Sequence, residues 1–539
     1  MTSHSRPASP TPSSPRQANR VQSLKVGATA QLLPLVVSYG LNLLATPYVV
    51  SQLGLRDFGI WAMTGAIAQY AGLLDLGASR AANRYVSLFH ARGETDNDRS
   101  VVGICVSLAL GLGAVLCAIA FLCAGIVERL FRTGDSALTH FLLLCSTTIL
   151  VCGLLARILA AASFGRGRQL PPNIGLAMLG AAQVVSGVVA LAFAPTLRSF
   201  ALGTAAGAAI GLCAVAVVIV IDEGRITIGR PRMALAREII AFGVKSQVAG
   251  AADVVLYQSG KLIAGIVIGP AAAGAYELGI RLIQGVQAFG GATAVAINTH
   301  LTRTYATSGM DGIREQYVRL TRRNAAVAIF LPFMLGTTAF SAVPLWLGGQ
   351  HQAVVTVVSA LAFSIAINVS TAVCGATVYA VGRAGLMGAE GAVFAAVSVL
   401  LAIPLATAFG FGGLVAAYAG WIALGNLVGV WFMHTRISIP MRDFLGAVAG
   451  PFAVAILAAI LATPINLIAA PGNRADAIAP FVLSSLVFCA VYLALGWRLD
   501  YLPRFPGHAQ RPPTPTQRYA SPDDEFVSNT TPVAASESE

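Results

Sequence analysis

The chain has 539 residues, of which 56% are hydrophobic and 11% charged, and its formal net charge is +12. A soluble domain carries roughly a quarter charged residues, so a water-soluble globule is excluded and most of the surface must face lipid. The basic excess would suit nucleic acid, but the placement of the charges along the chain gives another reason for it.

The first segment, "MTSHSRPASPTPSSPRQANR", is rich in Ser and Pro and has no apolar h-region. It reads as a disordered tail, residues 1–22, and not as a cleavable signal. Apolar stretches then recur with the length of about 20 residues that a membrane helix needs. Fourteen are expected, at 27–50, 58–80, 101–127, 138–163, 174–194, 200–221, 240–268, 273–300, 324–345, 353–379, 386–409, 412–433, 445–469 and 478–497. They are numbered span 1 to span 14 below. Span 7 is the least apolar, because it holds Lys245, Asp253 and Lys261. Residues 499–539 end in a second disordered tail, acidic at its tip.

With the amino terminus placed in the cytoplasm, 27 of the 35 Lys and Arg fall on the cytoplasmic side, five on the other side, and Lys245, Lys261 and Arg281 inside spans. This is a strong positive-inside pattern. It accounts for the net charge without a nucleic-acid partner and predicts an inner-membrane protein with both termini cytoplasmic. The loops holding the 27 are called the basic face. The eight cysteines all lie in apolar spans with no CxxC pair, and the seven histidines are scattered without metal spacing, so no metal site is expected. Gly-rich "FGRGR" and "AFGFGG" lack the GxxxxGK[ST] pattern, and no cofactor is expected beyond a coupling proton or sodium ion.

The chain also repeats itself. "LGLRDFGIWAM" at 53 matches "IGPAAAGAYEL" at 268, placing Gly54, Gly59 and Trp61 on Gly269, Gly274 and Tyr276, a shift of 215 that also carries Asn83 onto Asn298. "FGRGR" at 164 matches "VGRAG" at 381, with Gly165 on Gly382, and "FALGTAAGAA" at 200 matches "FGGLVAAYAG" at 411. The unit is six spans, an even number, so the copies are parallel and relate by an axis along the membrane normal. The expected fold is all-α and integral to the membrane. An amino-terminal six-helix lobe (23–222) and a carboxy-terminal one (223–435) flank a central cavity, and an extra helix pair follows (436–498).

The stretch "LLATPYVVSQLGLRDFGIWAMTGAIAQYAGLLDLGASRAANRYV" resembles the amino-terminal signature of bacterial polysaccharide-exporter flippases, members of the multidrug/oligosaccharidyl-lipid/polysaccharide superfamily. The matching elements are Leu53-Gly54, Gly59-Ile60-Trp61 and Asp75-Leu76-Gly77, with Gly269-Pro270 and Gly274-Ala275-Tyr276 in the second half. The resemblance runs from roughly 25 to 500. It implies a two-lobed, alternating-access transporter that moves a polyprenyl-diphosphate-linked oligosaccharide, with the bilayer, that glycan and polysaccharide assembly proteins as partners. It also implies that the final helix pair holds the lipid tail.

An ionised group at mid-membrane costs roughly 2.5–3.5 kcal/mol on insertion, so it normally faces a cavity or a partner. Candidate substrate-binding residues are Arg281, Lys261, Lys245, Arg80 and Arg84. Candidates for ion coupling or for orienting these are Asp253, Glu277 and Asp75. Glu277 and Arg281, at i and i+4, form either a simple intrahelical pair or a pair in which Glu277 presents Arg281 to the cavity, where its fork suits a diphosphate. Counted from the turn at Gly269, Lys261 and Arg281 differ in depth by only about 6 Å, so one anion reaches both if their faces converge. Arg80 and Arg84 serve either as a headgroup anchor at the end of span 2 or as a first contact for the diphosphate. The rival functions are a multidrug or small-molecule exporter of the same superfamily, a membrane polysaccharide polymerase or glycosyltransferase, and a scaffold that keeps the fold without transport. Spans 13 and 14 speak against the exporter, and short opposite loops speak against the enzyme.

Overall fold

The computed structural model describes residues 32–502, apart from Leu76 and Ala470; the side chains of 32, 74–75, 245–250, 288–296 and 384 also lie outside the description. The tail expected at 1–22 is therefore not described, and of 499–539 only 499–502 is. Those four residues fold back on span 14, where the Tyr501 amide donates to the Gly496 carbonyl at 2.9 Å.

All regular structure among the described residues is helical. Eleven of these helices are long and apolar enough to cross a membrane. Three of the eleven each contain parts of two spans, broken at Gly54 (φ 74), Gly309 (φ 60) and Gly410 (φ 60). Together with the helix from Pro270, the eleven cover segments of all fourteen expected spans. Span 2 extends past a single 3-10 turn, Gly72–Asp75, into the helix Ala78–Ala91. Span 7 runs from Met233 to Ile263 and through a π turn to Ile268. Side-chain caps start several helices: Asp135 accepts from the Leu138 amide at 3.0 Å for span 4, and Asn473 from the Asp476 amide at 2.9 Å for span 14.

The repeat is written in the turns. Left-handed residues end corresponding helices at Gly54 and Gly269, Gly93 and Gly309, Gly134 and Gly348, Gly167 and Gly382, and Gly224 and Ser438. Each pair is separated by 214 to 216 positions. This corrects the register of two sequence matches. Gly382 corresponds to Gly167, not Gly165, and span 12 begins opposite residue 197. Local glycine runs had pulled both matches off the common shift.

Within the first lobe, spans 5 and 6 pack through small residues. A Cβ on Gly203, Gly207 or Gly211 would lie 2.4 Å from the Ala190 Cβ, 2.3 Å from the Ala182 carbonyl oxygen and 2.6 Å from the Leu179 Cα. This i, i+4, i+8 stripe lets two backbones approach as small-residue motifs do in lipid. Spans 13 and 14 pack on spans 9 and 10 through Ala455, Ala458, Phe488 and Tyr492, and the buried Asn466 of span 13 accepts a hydrogen bond from Ser341 of span 9. The segment joining the lobes is fastened to the first lobe at the basic face. The Gly229 amide donates to the Arg99 carbonyl at 2.8 Å, and Ser100 Oγ donates to the Arg230 carbonyl at 2.9 Å. Beside it, Arg166 forks onto Asp98 at 2.9 and 3.1 Å and reaches Glu223 at 2.8 Å, tying spans 3, 4 and 6 together.

At the end opposite the basic face the two lobes meet directly. Gly59 and Gly274 are equivalent in the repeat and lie against each other's turn. A Cβ on Gly59 would be 1.8 Å from the Pro270 carbonyl oxygen, and one on Gly274 would be 2.4 Å from the Leu55 carbonyl oxygen. Val49, Val50 and Phe58 of the first lobe bury there against Leu278, Val343 and Val354 of the second, and Trp346 Nε1 donates to the Leu43 carbonyl at 2.8 Å. Gly59→Ala is expected to destabilise the protein by roughly 1–3 kcal/mol, because the obstacle is backbone and cannot rotate away. Gly40→Ala, where no atom lies within 4 Å, is the control. Thermal unfolding in detergent should show a lower Tm for the first variant only; equal Tm values would refute the close contact.

Candidate functional site

Toward the basic face the lobes part and leave a cavity in two continuous compartments of about 650 and 870 Å³. Ser38, Asn42, Leu176, Glu277, Arg281 and Gln284 line both. The larger compartment continues to Asn83, Phe164 and Asn173, at the basic ends of spans 2, 4 and 5.

Lys261 and Arg281 do converge, and what joins them is Glu277. Lys261 Nζ donates to Glu277 Oε2 at 2.6 Å, and Arg281 Nε donates to Glu277 Oε1 at 3.0 Å. Arg281 Nη1 also donates to Thr46 Oγ1 in the facing lobe at 2.9 Å, and its guanidinium lies 5.0 Å from the centre of the Phe58 ring. Tyr39 donates to the Arg281 carbonyl. Glu277 thus pairs with Arg281 within its helix and holds its guanidinium at the cavity wall. The π turn at Ala264–Ile268 and the sharp reversal at Gly269 (φ 149) bring span 7 back against span 8 in the right phase for Lys261 to reach across.

The cavity holds a further cation that sequence reasoning placed elsewhere. The charge count groups Arg157 with the basic loops although span 4 includes it; it lies in the helix Ser136–Gly165, eight residues before its end, and lines the 650 Å³ compartment. Arg281 is therefore not the sole arginine well inside a span. With Arg157, Lys261 and Arg281 against Glu277, the ionisable residues lining this compartment sum to +2. Amides make up much of the rest: Asn42, Gln69, Gln183, Gln258 and Gln284. Gln69 and Gln284 are 215 positions apart, so the repeat places one on each lobe. These amides carry no charge and so do not stand out in a charge pattern. An amide in an apolar span is nearly as conspicuous and would have been found by the same test.

The other candidates lie away from the cavity. Arg80 and Arg84 sit on the exposed side of the helix Ala78–Ala91 and line neither compartment. The Arg84 guanidinium stacks 4.5 Å from the Phe242 ring of span 7, and Arg80 lies within electrostatic range of Asp253. Asp253 is exposed and has a cationic neighbour, so it is not the isolated acid that its place in span 7 suggested. The side chains of Lys245 and Asp75 lie outside the described residues. No cluster of metal-ligating side chains occurs among the described residues.

Residues 53–356, more than half of the chain, match the family described as polysaccharide biosynthesis protein. The chain belongs to that family. A curated relative of this family member is the uncharacterized membrane protein EpsK of Bacillus subtilis (strain 168), 21% identical over 334 residues. The match covers 61% of this chain and 66% of EpsK, a little under two thirds of that protein. Two solved structures share the fold. One is an inward-facing multidrug resistance MATE family transporter of the MOP superfamily, at TM-score 0.61 and 14% identity over 76% of this chain and 98% of that one. The other is the lipid II flippase MurJ in an inward closed conformation, at TM-score 0.60 and 12% identity over 89% of this chain and all of that one. The family member is a multi-pass membrane protein with the MATE/MurJ fold.

Removing one partner of a buried ion pair costs roughly 3–5 kcal/mol, because the other charge is left unpaired. Glu277→Gln leaves two cations facing each other, so it should lower the Tm in detergent more than Lys261→Met or Arg281→Met does. A Glu277→Gln protein as stable as the native one would show that the carboxylate does not hold the pair.

Proposed function

We propose that the chain is an alternating-access flippase that carries a polyprenyl-diphosphate-linked oligosaccharide or polysaccharide precursor from the basic face to the opposite face of the membrane. The observation that carries this reading is the cavity between the lobes, +2 in its lining charges, closed at one end and leading to the basic face at the other. A diphosphate must shed water to enter a low-dielectric layer, and fixed cations offset that desolvation. Arg281 engages Glu277 and Thr46 through two of its five N–H donors, and the others, which have no hydrogen-bond partner among the described residues, can fork onto phosphate oxygens. Arg157 and Lys261 supply the remaining charge. The amides give hydrogen-bond partners to sugar hydroxyls. Family membership supports a polysaccharide precursor as cargo, and the likeness to a lipid II flippase supports a lipid-linked one. The same positive lining works against the exporter reading for any cationic drug, which it would repel.

Reconstitution into liposomes with a fluorescent polyprenyl-diphosphate sugar tests the proposal. Arg281→Ala and Lys261→Ala should each reduce flipping by about tenfold or more, the equivalent of losing one charge-assisted contact. Arg281→Lys should rescue poorly, because a point charge replaces a fork. If Arg281 serves Glu277 alone, removing both charges in Glu277→Ala plus Arg281→Ala restores flipping, and that recovery would sink the assignment.

For the drive, we propose that Asp253 binds the coupling proton or sodium ion, with Arg80 as the competing charge. Asp253→Asn should abolish gradient-dependent flipping while insertion and folding stay normal. Gradient-driven flux at the native rate in this variant would remove Asp253 from the coupling step.

A further inference from the structure

Ser146, in the middle of span 4, is 5% exposed, and its Oγ has no hydrogen-bond partner among the described residues. A buried hydroxyl left unpaired costs free energy, and such groups in folded proteins generally have a partner in the functional state. Ser146 lies where the central cavity meets a side pocket of about 70 Å³ within the first lobe. Ala68 and Leu150 share that junction.

The side pocket is mostly apolar, with Thr64, Cys123, Ser146 and Thr147 as its polar lining residues. Ile67, Leu116, Ile119, Val127 and Leu143 form its walls. Its Thr64 hydroxyl is already bonded to the Ile60 and Trp61 carbonyls of its own helix. Water gains little in such a space, since it needs two to four polar partners. The shape and chemistry call for a group with a small apolar end and a hydrogen-bond acceptor at its neck. Across the cavity, the buried Gln258 Oε1 likewise has no donor among the described residues, so it is placed to take an N–H or O–H from the same cargo.

We infer that this junction is a subsite for the acetamido group of an N-acetylated sugar in the cargo. The acetyl methyl enters the side pocket, the acetamido carbonyl accepts from Ser146 Oγ, and Gln258 Oε1 takes a sugar hydroxyl or the amide N–H. The inference rests on the proposed function, since it names the sugar next to the diphosphate that Arg281 and Lys261 would hold. A glucose residue at that position offers a hydroxyl, which neither fills the pocket nor reaches Ser146 in the same way.

The test uses the full-length protein in nanodiscs and two ligands, N-acetylglucosamine and glucose, each linked to the same short prenyl diphosphate. Burial of one methyl and one new hydrogen bond predict that the native protein binds the acetamido ligand about tenfold more tightly. Ser146→Ala removes the donor, and Ala68→Leu fills the mouth of the pocket. Each should bring the affinity ratio toward one. Equal affinities in the native protein, or a ratio retained in both variants, overturn the subsite while the flippase reading stands. If neither ligand binds, or if Arg281→Ala does not weaken either, the diphosphate-glycan reading falls and the subsite falls with it.

Discussion

Charge in hydrocarbon has to be answered by charge or by water, and the arrangement between the two lobes follows from that rule. Glu277 could not lie in span 8 without Lys261 and Arg281 on either side of it. These cations in turn exceed what one carboxylate neutralises, so the wall they occupy must border a wet cavity. The geometry of the lobes supplies it. Span 1 of the opposite lobe completes the cluster through Thr46, so the charged group is also a bridge between the halves.

The two halves share a backbone plan but not a chemistry. Thr46, Ala62 and Ala66 stand in the first lobe where Lys261, Glu277 and Arg281 stand in the second. The first lobe instead contributes Arg157 and the apolar side pocket, and only the Gln69 and Gln284 pair is common to both walls. A cargo that is anionic at one end and polar without charge elsewhere suits such a cavity, because it meets a different surface on each side. The joining segment belongs physically to the first lobe, held by Arg99, Ser100 and the Arg166 cluster beside it, so relative motion of the lobes must be taken up further along span 7.

The number of spans, their parallel repeat and the extra helix pair were legible because apolar length and left-handed turns are written locally in the sequence. The convergence of Lys261 with Arg281 was legible too, since counting rise per residue on both sides of Gly269 needs no tertiary information. Arg157 was not. What the sequence does not show is that this arginine lines an internal cavity, which only the packing reveals. The proximity of Arg80 to Asp253 was hidden, because it relates helices 173 positions apart and no periodicity connects them. The unpartnered Ser146 was out of reach altogether: serine is common in membrane helices, where it usually bonds to its own backbone, and only the structure shows that this one does not.

Gly59 and Gly274 remain. Each meets the other's turn at the closed end, and each is the other's image under the repeat. A contact of that kind is isologous, and in a pair of separate half-length chains a single glycine would furnish both sides of it. Gene duplication and fusion could therefore produce this closure at once, without any new complementary surface having to arise. In one chain the two positions are independent codons, yet neither accepts a side chain alone, because a Cβ on either one strikes main chain in the other's turn. The seam between the lobes is thus where the two-fold relation is held most tightly, while the cavity walls, under no such steric rule, carry different charges on each side.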